Sequence, residues 1–474
     1  MNLLALSSLP PLALAALFGI NQDPTGNATG APGPTSLAAS VDNFEPLTGS
    51  AAGDNRAWWT TFGDPKLDAL LELAVADNLD LAVATSRIKE AEALILQARA
   101  PLLPTASIDS TLNMAPTDSL GFGLTAGGGA GQGGNNFPNV YYTASTALNV
   151  GLEVDITGRN ILNHRARKID RRASRDDRDM QRIVIQSRAV QAYIDLVAAK
   201  ARLEVVERQL LASQNLLDIT DARFESSQVS ALDVLQQRQA LASTETLVPQ
   251  ARSQIRLLEH QLAVLTGQDS QSAIASQATL PELPRGPRLG KTENLIRNRP
   301  DVRATAHQLE SAESRRKSAA RGYAPSLRLT GRAGYQALYI NDAVSQSFWS
   351  LGASLSIPLS TGGLTRSRVH QTRAAKNTAA NRLAATTLNA LREVEDAAVR
   401  EQEQQIALDA YSRQQEAATQ AFQLATTRYL EGNADFLAVL AAQSGQQRAE
   451  LNVLAAHHAL LSARIALHTA LGDS

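Results

Sequence analysis

The residues of this chain that could do covalent chemistry are few, and their spacing does not suit it. Gly286-Pro-Arg-Leu-Gly290-Lys-Thr292 has the outline of a phosphate loop, but with one residue too few between its glycines. It also follows a Pro-rich linker instead of a strand, so it does not read as a nucleotide site. The glycines of Gly127 to Gly134 have no βαβ unit around them. His457 and His458 are adjacent and diverge on a helix, so they cannot share a metal ion. There is no cysteine, which removes disulfides, thiolate metal sites and thiol nucleophiles. No Ser-His-Asp or paired-carboxylate arrangement stands out, and no cofactor is implied. The chemistry that the spacing does support is non-covalent. Between Ser326 and Ala337, Arg328 and Arg332 alternate with apolar residues in a period of two. That period puts charge on one face of a strand and hydrocarbon on the other.

The elements that hold these charges read as β-hairpins. In the first strand of one hairpin, Leu327, Leu329, Gly331, Ala333, Tyr335 and Ala337 oppose Ser326, Arg328, Thr330, Arg332 and Gln336. After a turn at Asn341-Asp342, Trp349, Leu351, Ala353, Leu355 and Ile357 oppose Ser350, Gly352, Ser354 and Ser356. A membrane barrel strand has this pattern, with lipid outside and a wet lumen inside. A half-buried hairpin of a soluble sheet alternates in the same way. A second hairpin over Pro104–Asn113 and Tyr142–Asp155 favours the membrane reading. It sets Ile108, Leu112, Leu148, Val150 and Leu152 against Asp109, Asn149 and Glu153. Lumen positions are then Asp109, Glu153, Arg328 and Arg332. Tyr142, Tyr335 and Trp349 share the apolar face at the loop ends, as in an aromatic girdle.

With 474 residues there is room for two or three ordinary domains, and a net charge of -1 gives no bulk case for nucleic acid. Apolar residues make up 44% and aromatic ones only 4%, which favours long helices over a bulky core. Met1 to Ile20 resembles a secretory signal peptide that lacks a basic start, and 21–57 reads as an extended lead-in.

The chain is internally duplicated. Asn78-Leu-Asp80 matches Asn298-Arg-Pro-Asp301 with Asp80 and Asp301 221 residues apart, and Pro104 matches Pro325 at the same offset. Beyond the hairpins the offset is 205, pairing Arg223-Phe224 with Arg428-Tyr429, Leu232–Leu235 with Leu437–Leu440, and Gly267 with Gly472. The first repeat spans 58-280, with a β-hairpin at 104-156 and a helical hairpin at 158-267. The second spans 281-474, with a β-hairpin at 325-359 and a helical hairpin at 362-472. Pro65 to Ala100 reads as one helix, and Pro249 as a kink in a later one. From Gly158 to Phe224, Leu196, Leu203, Leu210 and Leu217 recur every seven residues, with Ala199, Val206, Ser213 and Thr220 three behind each. That is a coiled-coil seam with small partners. A helix of about 65 residues reaches roughly 100 Å. Four strands cannot close a barrel, and open edges are not tolerated in lipid. Several copies of the chain must therefore combine.

Several stretches now resemble the TolC family of outer-membrane factors, in the branch that serves RND-type multidrug efflux pumps. They are Trp58-Trp59-Thr-Thr-Phe62-Gly-Asp64-Pro-Lys-Leu67, Asn298-Arg-Pro-Asp301-Val-Arg, Pro325-Ser-Leu and Ile357-Pro-Leu-Ser-Thr-Gly-Gly363, followed by Glu393-Val-Glu-Asp-Ala397 and Arg428-Tyr-Leu-Glu-Gly432. The resemblance implies an α+β membrane protein. Each protomer of a homotrimer would give four strands to one β-barrel, and the helices would form a long periplasmic α-helical barrel. It implies a bacterial outer-membrane exit duct that is not an enzyme. Its partners would be a periplasmic adaptor (membrane fusion) protein, an inner-membrane RND-type pump and outer-membrane lipid. By position, the adaptor-contacting tips include Arg223, Phe224, Arg428, Tyr429 and Gly432, and the periplasmic aperture Asp233, Asp435, Phe436 and Leu437. Ala438 and Ala441 depart from the acidic residues that relatives often carry in the second tip. Ile20 occupies the place of the acylated cysteine of relatives, so lipidation there is not expected. The alternatives are a type I secretion or metal-efflux duct on the same fold, or a non-conducting periplasmic scaffold. The sequence does not name the cargo.

Overall fold

A computed structural model describes residues 58–116, 140–269, 279–284, 286, 298–339 and 343–473. The leader, the 21–57 segment, the glycine-rich stretch 121–134, the Asn341-Asp342 turn and most of the phosphate-loop lookalike lie outside the described residues. The helices are α1 (Pro65–Asp77), α2 (Leu79–Arg99), α3 (Arg159–Glu225), α4 (Ala231–Glu245), α5 (Leu247–Leu265), α6 (Pro300–Ala320), α7 (Leu364–Leu430) and α8 (Phe436–Leu471). The strands are β1 (Thr105–Pro116), β2 (Val140–Val154), β3 (Ser326–Tyr339) and β4 (Ala343–Ser356). They form one antiparallel sheet in the order β1-β2-β3-β4, so the two hairpins pair through β2 and β3. No helix among the described residues is long and apolar enough to cross a membrane.

The duplication extends to backbone detail. Helices α3 and α7 each contain 67 residues. Positions 205 apart share conformation: Ser227 and Gly432 have φ of 58 and 78, and Gly267 and Gly472 have 68 and 76. Ser230 and Asp435, also 205 apart, are both helix N-caps. Two sequence expectations need correction. The stretch Pro65 to Ala100 is two helices, because Asn78 leaves the helical region and accepts the N–H groups of Asp80 and Leu81 at 2.9 and 3.2 Å. The break near Pro249 falls at Thr246, since the proline ring cannot tolerate a helical carbonyl four residues earlier.

The chain divides into two compact units. One comprises Lys89–Arg172 and His307–Ala379 and holds the sheet. Within it α3 and α6 are joined at Asp170, which accepts from Ser311 at 2.5 Å and pairs with Arg315. The other comprises Met1–Ile88, Ala173–Ala306 and Ala380–Ser474. Its core gathers Trp58, Phe62, Leu67 and Leu71 with Val190, Tyr193, Ile194, Leu262, Leu461 and Ile465. The Trp58 to Leu67 stretch is built for this. Asp64 caps α1 by accepting from the Lys66 N–H at 2.9 Å, and Pro65 opens the helix where no N–H is needed. The other carboxylate oxygen of Asp64 accepts from buried Tyr193 Oη at 2.5 Å, and Trp58 stacks on His468 at 4.7 Å. Buried Arg299 donates to the Ala470 carbonyl at 2.7 Å and pairs with Asp301 and Glu393, which ties the ends of α6 and α8 to α7.

The α3 seam runs through its small residues. Ala199, Val206, Ser213 and Thr220 are buried, whereas Leu203, Leu210 and Leu217 are half-buried beside them. Small residues let a neighbouring helix come close, and polar ones then bond across. Gln443 of α8 donates to Ser213 Oγ at 3.0 Å, and Gln237 of α4 donates to the Ser213 carbonyl at 2.9 Å.

Candidate functional site

The sheet register sorts the side chains completely. Ile108 pairs with Leu148, Val150 with Gly331, Leu152 with Leu329, and Ala333 with Trp349, all on one face. That face is hydrocarbon held out to the surroundings, with Ile108, Leu112, Trp349 and Leu351 each more than two thirds exposed. The opposite face carries Asp109, Asn149, Glu153, Arg328 and Arg332, with Ser350 and Ser354. An exposed apolar face of this extent cannot stand in water and reads as a lipid-facing wall.

On the polar face the charges are ordered. Asn149 donates to Asp109 Oδ2 at 2.6 Å across β1 and β2. Glu153 accepts from Arg159 at 2.8 Å and Asn160 at 3.3 Å, although its ladder partner is Arg328. The Arg332 guanidinium lies over the Phe348 ring at 5.2 Å. Gly334 admits the close approach of β2 there, because a Cβ would strike the Thr146 carbonyl and Ala147.

The aromatic expectation needs correction. Tyr142, Tyr335 and Trp349 share the outer face but not one rung. Tyr142 pairs with Tyr339, Tyr335 with Thr146, and Trp349 with Ala333 in the middle of β4. Tyr339 is the ring that faces Tyr142, and the strand runs two residues further than alternation through Ala337 suggests.

At the ends of the long helices, the two tips are joined. Arg223 donates to the carbonyls of Tyr429 and Leu430 at 2.9 and 2.6 Å, closing the C-terminus of α7, and its guanidinium sits 4.9 Å from the Tyr429 ring centre. Phe436 is 1% exposed in a cluster with Leu216, Tyr429 and Val439, so it is a core residue and does not line an aperture. Tyr429 is likewise buried and offers a partner protein no ring. Burial raises its phenol above the ordinary tyrosine value, against the pull of Arg223. Phe224, Arg428, Gly432 and Leu437 are exposed. Asp435 is a helix N-cap, and Asp233 is the third helical residue after the N-cap Ser230. Asp233 closes a capping box with Ser230, and Asp435 accepts from the Leu437 N–H at 3.5 Å. His458 bonds Asp195 at 2.6 Å, while burial lowers the pKa of His457, so the two rings have separate roles.

The site residues that sequence reasoning missed are Phe348 and Tyr339. Their signal is cross-strand register, which no single strand contains.

A sheet with one polar and one oily face, in a chain that also contains two 67-residue helices, defines a channel-forming class of membrane protein. A family model described as outer membrane efflux protein matches residues 70–268 and 292–473, and the chain belongs to that family. It is 27% identical over 425 residues to the pyoverdine export outer membrane protein OpmQ of Pseudomonas aeruginosa, covering 89% of this chain and 88% of that one. It is 22% identical to the cation efflux system protein CusC of Escherichia coli K12, over 98% of both chains. Its fold resembles the outer-membrane channel OprN with a TM-score of 0.79 and 24% identity, over 96% of this chain and 99% of that one. The chain is an outer-membrane efflux channel that extends into the periplasm.

Proposed function

We propose that three copies of this chain close one β-barrel and serve as the passive exit duct of a tripartite efflux pump. In this reading, substrates arrive from an inner-membrane RND-type pump through a periplasmic adaptor, and the duct has no catalysis of its own. One observation carries the reading: a four-stranded sheet with an exposed apolar face, a charged opposite face and two edges that are unpaired among the described residues. Each unpaired backbone group in lipid costs several kcal/mol, so the edges of β1 and β4 must meet other copies. The repeats 58-280 and 281-474 supply equivalent hairpins, which suits a ring built of near-equal parts. Leu437, Asp233 and Asp435 are the aperture residues in this reading. Phe224, Arg428 and Gly432 present the adaptor surface, and Arg223 holds the second tip in place. Relatives export pyoverdine, toluene and cations by name. What they share is efflux, and the cargo does not transfer from them.

The test compares the two faces of one strand. Leu351→Arg on the apolar face should cost about 2–4 kcal/mol in folding into lipid, and Ser350→Arg on the polar face should cost much less. Native mass spectrometry in detergent should show a trimer for the unmodified chain and for Ser350→Arg. Equal losses for the two variants, or a stable folded monomer, would remove the barrel reading.

A further inference from the structure

We propose that Arg328 and Arg332 make the barrel lumen a filter for anionic solutes, so that the cargo of this duct is anionic. The proposal rests on the exit-duct reading and adds a substrate class to it. The charged residues of the described strands are Asp109, Glu153, Arg328 and Arg332, and all lie on the polar face. Their signs balance in number but not in availability. Glu153 is taken by Arg159 at 2.8 Å. Asp109 is held among uncharged donors, Asn149 at 2.6 Å and Ser107 at 3.2 Å. Neither arginine has a carboxylate partner among the described residues.

The neighbours of the two arginines keep them open. Their β4 partners are Ser354 and Ser350, and between these Thr330 faces Gly352. Small side chains alongside leave room for a planar guanidinium to receive a carboxylate or phosphate in bidentate fashion. Phe348 beside Arg332 holds the guanidinium without neutralising it, since a ring face attracts a cation but carries no net charge. The arginines stand four residues apart on β3 with Thr330 between them on the same face, so each copy of the chain offers two charged rungs separated by an uncharged one. Two weak sites in series let an ion enter and leave, which one tight site would prevent. An apolar outer wall concentrates the field of these charges inside the barrel.

The experiment uses the full-length trimer in planar bilayers, with citrate added on the barrel side and the reversal potential read in a KCl gradient. The unmodified channel should prefer chloride on its barrel side, and citrate should reduce its current. Arg328→Gln with Arg332→Gln should shift the reversal potential toward potassium and weaken the citrate block about tenfold. Each single change should give part of that shift, which keeps the test open if the double variant fails to assemble. Arg332→Lys keeps the charge, so it should preserve the reversal potential while weakening the block, because an ammonium lacks the fork and the stacking plane. Asp109→Asn should strengthen the anion preference. A conducting double variant with unchanged reversal potential and unchanged block overturns the filter and leaves the duct standing. A trimer that forms no channels even when Arg223→Ala releases the clasp between the tips overturns the duct itself.

Discussion

The two helical tips descend from one sequence, and only one of them holds the other. In the first tip Arg223 reaches across to close the end of α7. Its counterpart Arg428, 205 residues on, is exposed and has no side-chain partner among the described residues. Phe224 is 45% exposed whereas Tyr429 is 5% exposed, and Ala231 is exposed where Phe436 is buried. The left-handed residue is Ser227 in one turn and Gly432 in the other. Duplication supplied two equal hairpins with an arginine in each, and substitution at three positions gave the second tip a core that the first one's arginine grips. In the proposed exit-duct reading, a tip that opens and closes gains from that division. The clasp is polar and half-exposed, so breaking it need not break the packing beneath.

The largest test of this asymmetry is Phe436→Ala. Emptying a buried phenylalanine should cost about 3–5 kcal/mol, while Leu232→Ala on the other tip should cost about 0.5 kcal/mol or less. Urea unfolding of the trimer in detergent reads both, and equal costs would mean that the tips are alike after all. Next is the clasp. Arg223→Ala removes two hydrogen bonds to carbonyls from a partly exposed charge, for about 1–2 kcal/mol, and Arg428→Ala should stay within about 0.5 kcal/mol. Amide hydrogen exchange across 223–235 and 428–441 should quicken in the first variant only. The smallest effect belongs to the turns. Ser227→Gly should stabilise by about 0.5 kcal/mol, because glycine carries no Cβ penalty at positive φ but loses more freedom on folding. Gly432→Ala should destabilise by about 1 kcal/mol for the same reason. A loss of stability on Ser227→Gly would show that the first turn is not strained, and a gain on Gly432→Ala that the second tolerates a Cβ.

Most of the architecture was legible in the sequence because periodicity and duplication are local signals. The two-residue alternation located β1 to β4 and assigned Arg328, Arg332, Asp109 and Glu153 to one face. The 205-residue offset located the tips. The contents of the tips were less legible. Phe436 adjoins Leu437 in sequence, and only helix phase separates the buried ring from the exposed leucine. Asp233 and Asp435 look like ring-forming acids, yet a carboxylate at the start of a helix has backbone N–H groups to satisfy first. Asn149 meets Asp109 from forty residues away, and Arg159 draws Glu153 away from its ladder partner Arg328. Such pairings depend on register and rotamer, which alternation does not encode.

The open edges of β1 and β4 also constrain how the protein is made. A single copy that reached the membrane alone would offer two rows of backbone donors and acceptors to any strand it met, including strands of other newly made chains. Insertion and association therefore have to be one event, with a rate that rises steeply with the local concentration of newly exported chains. Below some supply of chains the route leads to aggregates or proteolysis, and above it to closed rings that no longer exchange. The quantity of finished ducts in a cell would then follow synthesis as a threshold and not in proportion.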